Sequence, residues 1–258
     1  MDSLLHFEGI ILLAIIGVML FAGLVHGTLG LGFPMVATPI LATMMDVRAA
    51  ILVTLIPTMA VNIVSIVKAK DSLHSARQFA PLVVFALLGS IIGASILATT
   101  DPAPFRIILA GLILIYLSTT FIARIPKQWL TARPILPMAA FGICAGIAAG
   151  TTNVMVAVLI IYLLSLETPR KVMIPVLNSC FLVGKASQIV VLAIAGFVSL
   201  RLVIETTPLA IAAVIALLIG QRLQPRIQVS TYQSMLRKLL LVLAIILMIQ
   251  YFSDSGTA

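Results

Sequence analysis

Apolar residues fall in long blocks along this chain, and polar residues gather in short links between them. Five blocks occupy the first half, at about 9–25, 33–45, 49–67, 80–99 and 105–122. Five more follow at about 134–149, 154–164, 172–197, 202–220 and 239–252. Most are far longer than barrel strands and approach the ~20 apolar residues that cross a hydrocarbon core of about 30 Å as a helix. The blocks at 33–45 and 154–164 are too short. Thirteen helical residues reach only about 20 Å. The pattern predicts an all-α integral membrane protein with 8–10 membrane segments, the two short ones spanning in part or forming re-entrant hairpins with the segments before them. Non-helical backbone at that depth must be enclosed by protein or line a wet cavity.

Two stretches interrupt the apolar pattern. The first is His26-Gly27-Thr28-Leu29-Gly30-Leu31-Gly32-Phe33-Pro34, where three glycines and a proline disfavour continuous helix. The second is Gly146-Ile147-Ala148-Ala149-Gly150-Thr151-Thr152-Asn153, at the matching place in the second half. Paired breaks of this kind are a sequence pointer to a transporter's binding site.

The chain also aligns with itself. At a shift of about 120 residues Phe21 meets Phe141, Gly30 meets Gly150, and Met35-Val36-Ala37 meets Met155-Val156-Ala157. After a two-residue adjustment Arg48 meets Arg170, Leu55 meets Leu177 and Ser65 meets Ser187. The expected organisation is one repeat over 1–125 and a second over 126–258. Charge placement bears on their orientation. Twelve of the sixteen Lys and Arg residues lie in four links, 68–78, 123–133, 165–171 and 221–238. Cytoplasmic loops carry such an excess. Putting these links inside places both termini outside, and five segments per half then make the repeat inverted. Trp129, in the central link, is a candidate interface anchor.

Composition narrows the class. The chain of 258 residues is 62% hydrophobic and only 9% charged, too little charge to cover a water-soluble fold. Its net charge of +8 does not argue for nucleic acid, because orientation bias explains the basic links. Residues 10–25 lack a basic leader and a cleavage site, so they read as a mature span rather than a signal peptide. Cys144 and Cys180 both lie in apolar runs and read as buried free thiols.

Lys185 is the sharpest chemical signal. It lies in the middle of a span with no carboxylate in the same run. A charge at that depth faces a cavity or a partner, and without an acidic partner Lys185 reads as an anion ligand. Asn178 shares its face two helical turns away, and Gln188 follows one turn later. In the equivalent segment Thr54, Thr58, Asn62 and Ser65 form one polar stripe. Interhelical hydrogen bonding is the competing reading for such residues. At the breaks, half-helix starts offer unpaired N–H groups and a positive dipole end to an anion. The candidate substrate site therefore comprises Lys185, Asn178, Asn62, Gln188 and Thr58 with Gly30, Gly32, Gly150, Thr151, Thr152, Asn153 and His26. Thr151, Thr152 and Asn153 also read as simple caps, and His26 as a packing residue. The sequence holds no metal-ligand set, HExxH pair or GxSxG elbow, so an intramembrane enzyme is the weaker alternative and no cofactor is implied. A secondary carrier alternating between two halves and a passive anion channel both fit.

The break at 26–34, the short segment ending in Asp46-Val47-Arg48-Ala49-Ala50 and their repetition over 146–171 resemble the TauE/SafE sulfite exporter family. The likeness covers nearly the whole chain. It implies a multi-pass carrier in a bacterial or archaeal inner membrane, surrounded by lipid. It also implies a small sulfur-containing anion as substrate, such as sulfite, thiosulfate or an organosulfonate like sulfoacetate. A coupling proton or ion is compatible with it, although acidic residues inside spans are almost absent.

Overall fold

In lipid, every backbone N–H and C=O must be satisfied inside the protein, which leaves the helix as the natural form for these blocks. The computed structural model describes residues 9–119, 125–226 and 229–255, and every regular element among them is helical. The first half contains α1 (Gly9–Leu29), α2 (Phe33–Ala42), α3 (Val47–Lys68), the short α4 (Leu73–Ala76), α5 (Ala80–Thr99) and α6 (Pro104–Ser118). The second contains the short α7 (Lys127–Ala132), then α8 (Ile135–Thr152), α9 (Val156–Ser165), α10 (Arg170–Ile194), α11 (Leu200–Leu223) and α12 (Val229–Ser255). Seven helices are long and apolar enough to cross a membrane, while α2, α6 and α9 are shorter. Isoleucines 204, 211, 215 and 219 run along the outside of α11 at helical spacing, as a lipid-facing surface requires. The chain is a multi-pass membrane protein.

Local chemistry sets several ends. Asp46 caps α3 by accepting from the Ala49 amide at 2.9 Å, and Ser199 caps α11 by accepting from the Leu202 amide at 3.2 Å. Arg48 donates to the carbonyls of Leu97 and Thr100 at the end of α5. Its guanidinium also lies 4.7 Å from the centroid of the Phe197 ring, just beyond α10. One side chain thus ties three helix ends together.

The short α2 is an interior element, with nine of its ten residues buried, so it is enclosed by protein rather than exposed to lipid. The pairing of long helices is reciprocal between the halves. The first helix of each half packs along the fourth long-chain element of the other, α1 on α11 and α8 on α5. These are backbone-to-backbone contacts. A Cβ on Gly146 would lie 2.2 Å from the Ala86 carbonyl oxygen, and one on Gly27 would lie 2.2 Å from that of Leu217. Small residues permit this approach, the usual basis of helix association in membranes.

This packing corrects the extent of both breaks. Gly146 and Gly150 remain inside α8, and Gly27 remains inside α1, because these glycines serve close approach rather than chain reversal. The interruptions shrink to residues 30–32 and 153–155. The basic link at 221–238 is also largely helical, since α11 continues to Leu223 and α12 begins at Val229. Long basic side chains can sit on a helix end and reach the interface, so they do not mark a loop. Cys180 is buried, but Cys144 lies exposed on the outer surface of α8, where an apolar thiol is compatible with lipid. Trp129 is exposed on α7.

The glycine contacts set a stability prediction. Gly146→Ala lowers the melting temperature in detergent by several degrees, corresponding to about 1–3 kcal/mol of overpacking. Gly111→Ala on α6, with nothing within 4 Å of the added methyl, leaves it unchanged or slightly higher.

Candidate functional site

The first break forms because Gly30 and Gly32 adopt φ of 81° and 105°, a left-handed conformation that a Cβ disfavours. His26 closes the gap. Its Nδ1 accepts from the Phe33 amide at 3.2 Å, and its Nε2 pairs with the Ser65 hydroxyl of α3 at 3.0 Å. Ser65 in turn donates to the Val61 carbonyl at 2.9 Å. With Nδ1 accepting and the serine proton used elsewhere, this pattern fits a neutral imidazole protonated on Nε2. The start of α2 is therefore mostly occupied. The Phe33 amide is taken by His26, Pro34 has no N–H, and the Val36 amide bonds the Gly32 carbonyl at 3.1 Å. The expected cradle of free amides at this helix start is largely filled by the protein's own groups.

The second break turns on Asn153, which ends α8 at φ 66°, a conformation asparagine tolerates better than most residues. Its Nδ2 donates to the hydroxyls of Thr38 on α2 and Thr54 on α3, both at 3.0 Å. Its Oδ1 accepts from the Lys185 ammonium, which also donates to Gln188 Oε1. Gln188 Nε2 donates to the Gly150 carbonyl at 2.8 Å. Four helices thus meet at one buried asparagine. Thr151 and Thr152 turn their hydroxyls back to the Ile147 and Ala148 carbonyls, each at 2.8 Å.

Both breaks share one partner, α10. The C-terminal ends of α1 and α8 carry carbonyls without helical donors and the negative end of the dipole. From α10, Arg170 donates to the Leu29 carbonyl at 2.9 Å, and Asn178 to the Gly30 carbonyl at 3.0 Å. Gln188 serves the end of α8, as above. The donors lie along one helix, so a single element satisfies two chain breaks. Asn178 and Lys185 are two turns apart, or about 10 Å along the axis.

Between the breaks lie polar atoms with no hydrogen-bond partner among the described residues. They are the hydroxyl of Thr58, both amide atoms of Asn62 and the Oδ1 of Asn178. All three residues are buried. On α3, Thr58 and Asn62 sit between Thr54, which serves the second break, and Ser65, which serves the first. Buried polar groups are normally paired, so four such atoms in one region invite a bound group.

The sequence-derived residues thus separate into two groups. Lys185, Gln188, Asn153 and the Gly150 carbonyl form one connected network, while His26, Gly30 and Asn178 border the first break with Thr58 and Asn62 between. Gly32 is the N-cap of α2. Gly150 has no room for a side chain, since a Cβ would lie 2.5 Å from the Ala94 amide. Thr38 and Arg170 were not singled out from the sequence. A hydroxyl within an otherwise apolar ten-residue block was the available signal for Thr38. Arg170 looked like one of several basic link residues.

The family model described as Sulfite exporter TauE/SafE matches residues 15–251. No curated protein and no solved structure matches the chain. A match across both breaks and nearly all membrane helices means that this chain belongs to the TauE/SafE sulfite exporter family, a family of membrane transporters.

Proposed function

We propose that the protein is a secondary carrier of a small sulfur-containing anion, such as sulfite, thiosulfate or an organosulfonate like sulfoacetate, held between the two breaks. The observation that carries this reading is Lys185. It is fully enclosed, and among the described residues no carboxylate reaches it. Two amide oxygens solvate the ammonium but leave its charge uncompensated. An uncompensated buried cation is strongly disfavoured, and a bound anion supplies the missing charge. The Thr58 hydroxyl and the Asn62 amide add unused donors for the oxygens of that anion. His26, Asn178 and Asn153 hold the break geometry around it.

In this reading residues 1–125 and 126–258 are two inverted halves that rock about the site in alternating access, with the basic links on the cytoplasmic side of a bacterial inner membrane. The reciprocal pairing of α1 with α11 and α8 with α5 supports it, since exchanging the halves preserves these contacts. A carrier differs from a channel in showing saturable flux that is accelerated by substrate on the opposite side, and proteoliposomes loaded with the same anion measure this directly.

Two variants probe the site. Lys185→Met is expected to lose the rise in melting temperature that the wild type shows with its anion, and to reduce proteoliposome flux at least about tenfold, the equivalent of one 1.4 kcal/mol interaction. Transport at wild-type KM by this variant would overturn the assignment. Asn62→Leu removes two buried, unpaired polar atoms in favour of an apolar side chain of similar size. Its melting temperature is expected to rise, by about 1–3 kcal/mol of stability, while KM increases. A fall in both stability and transport would instead mark Asn62 as a structural residue.

A further inference from the structure

On the side that carries the basic links, a cavity of about 540 Å³ opens among the ends of α1 and α6, the α9 helix and the starts of α10 and α12. Its lining is divided by chemistry. Ile160 of α9, Met173 of α10 and Leu236 of α12 give it apolar walls, and Arg170 and Arg237 bring two guanidinium groups. Among the described residues no carboxylate lines it. None of Thr58, Asn62, Asn178 and Lys185 lines it either, so it is separate from the central polar group. Its volume lies within the range of about 300–1,000 Å³ common for organic ligands. A sulfite-sized oxyanion has no use for so much space or for apolar walls. Basic pockets between membrane helices on the cytoplasmic side suit anionic head groups.

We propose that this cavity binds an amphiphilic organic anion, with its head group on Arg170 and Arg237 and its apolar body against α9 and Met173. The same chemistry is offered by an anionic lipid of the adjacent leaflet and by a soluble aryl or alkyl sulfonate. Arg170 also holds the Leu29 carbonyl at the first break, so an occupant that draws on this guanidinium is coupled to the end of α1.

The test uses the full chain in phosphatidylcholine nanodiscs, titrated with naphthalene-2-sulfonate while the melting temperature is followed. A parallel arm omits the sulfonate and adds phosphatidylglycerol to the discs. Wild type and Arg222→Gln are expected to show a saturable rise of several degrees. Arg222 is exposed on the same side but does not line the cavity. Arg237→Gln is expected to bind roughly tenfold more weakly, as the loss of one charge-assisted contact implies. Ile161→Trp, which fills the cavity without touching its charge, is expected to abolish the response. A response in the phosphatidylglycerol arm that is lost in Arg237→Gln assigns a lipid ligand, whereas a response to the sulfonate alone assigns a soluble one. Both outcomes support the site. Wild-type affinity in Arg237→Gln, an equal loss in Arg222→Gln, or no response of the wild type to either ligand overturns it.

Discussion

Two helices that stop inside a hydrophobic environment leave carbonyl groups that lipid cannot satisfy, and the central architecture follows from how those carbonyls are paired. The helix α10 supplies the donors. Arg170 and Asn178 serve the end of α1, and Gln188 serves the end of α8. Because the donors share one rigid element, the positions of the two breaks relative to each other are set by the register of α10. The neighbouring α3 also touches both breaks, Thr54 accepting from Asn153 and Ser65 pairing with His26. The region bounded by α3 and α10 is therefore defined from both sides.

The same pairing explains why a lysine persists where a charge is so disfavoured. Lys185 is hydrogen-bonded to neutral amides of Asn153 and Gln188 and remains electrostatically open. A carboxylate partner would have completed an ion pair inside the protein, whereas the two amides hold the Lys185 side chain through hydrogen bonds alone. In the carrier we propose, that arrangement leaves the charge available to a bound anion.

Around this centre a core of buried leucine, isoleucine, methionine and phenylalanine is combined with two helix pairs that meet by close backbone approach. The α5–α8 and α1–α11 pairs meet through glycine and alanine, with carbonyl oxygens where Cβ atoms would be. Lipid is as apolar as the helix surfaces, so burial of leucine or isoleucine gives little advantage here, and short-range packing takes over. These two contacts cross between the halves and join them over most of a membrane thickness. The outer helices, by contrast, carry rows of exposed isoleucine toward lipid.

The fold class was legible in the length and number of apolar blocks, because a bilayer imposes both the helical form and its minimum length. The short interior segments 33–45 and 154–164 were legible for the same reason. Lys185 stood out because an ionised side chain in the middle of a span has few innocent explanations. The extent of the breaks was not legible. Glycine spacing alone cannot distinguish a chain reversal from a close helix contact, and only the position of α5 against α8 shows that Gly146 and Gly150 are the latter. Tertiary structure also decided which polar groups pair. Asn153 reaches Thr38 across 115 positions of sequence and Thr54 across 99, while the Asn62 amide finds no partner among the described residues. The sequence by itself determined a helical membrane protein with two interruptions and a lysine within a span, because the bilayer acts on composition and length. Which groups are satisfied, and which remain open to a ligand, depends on distances between segments far apart in the chain, and those only the folded molecule defines.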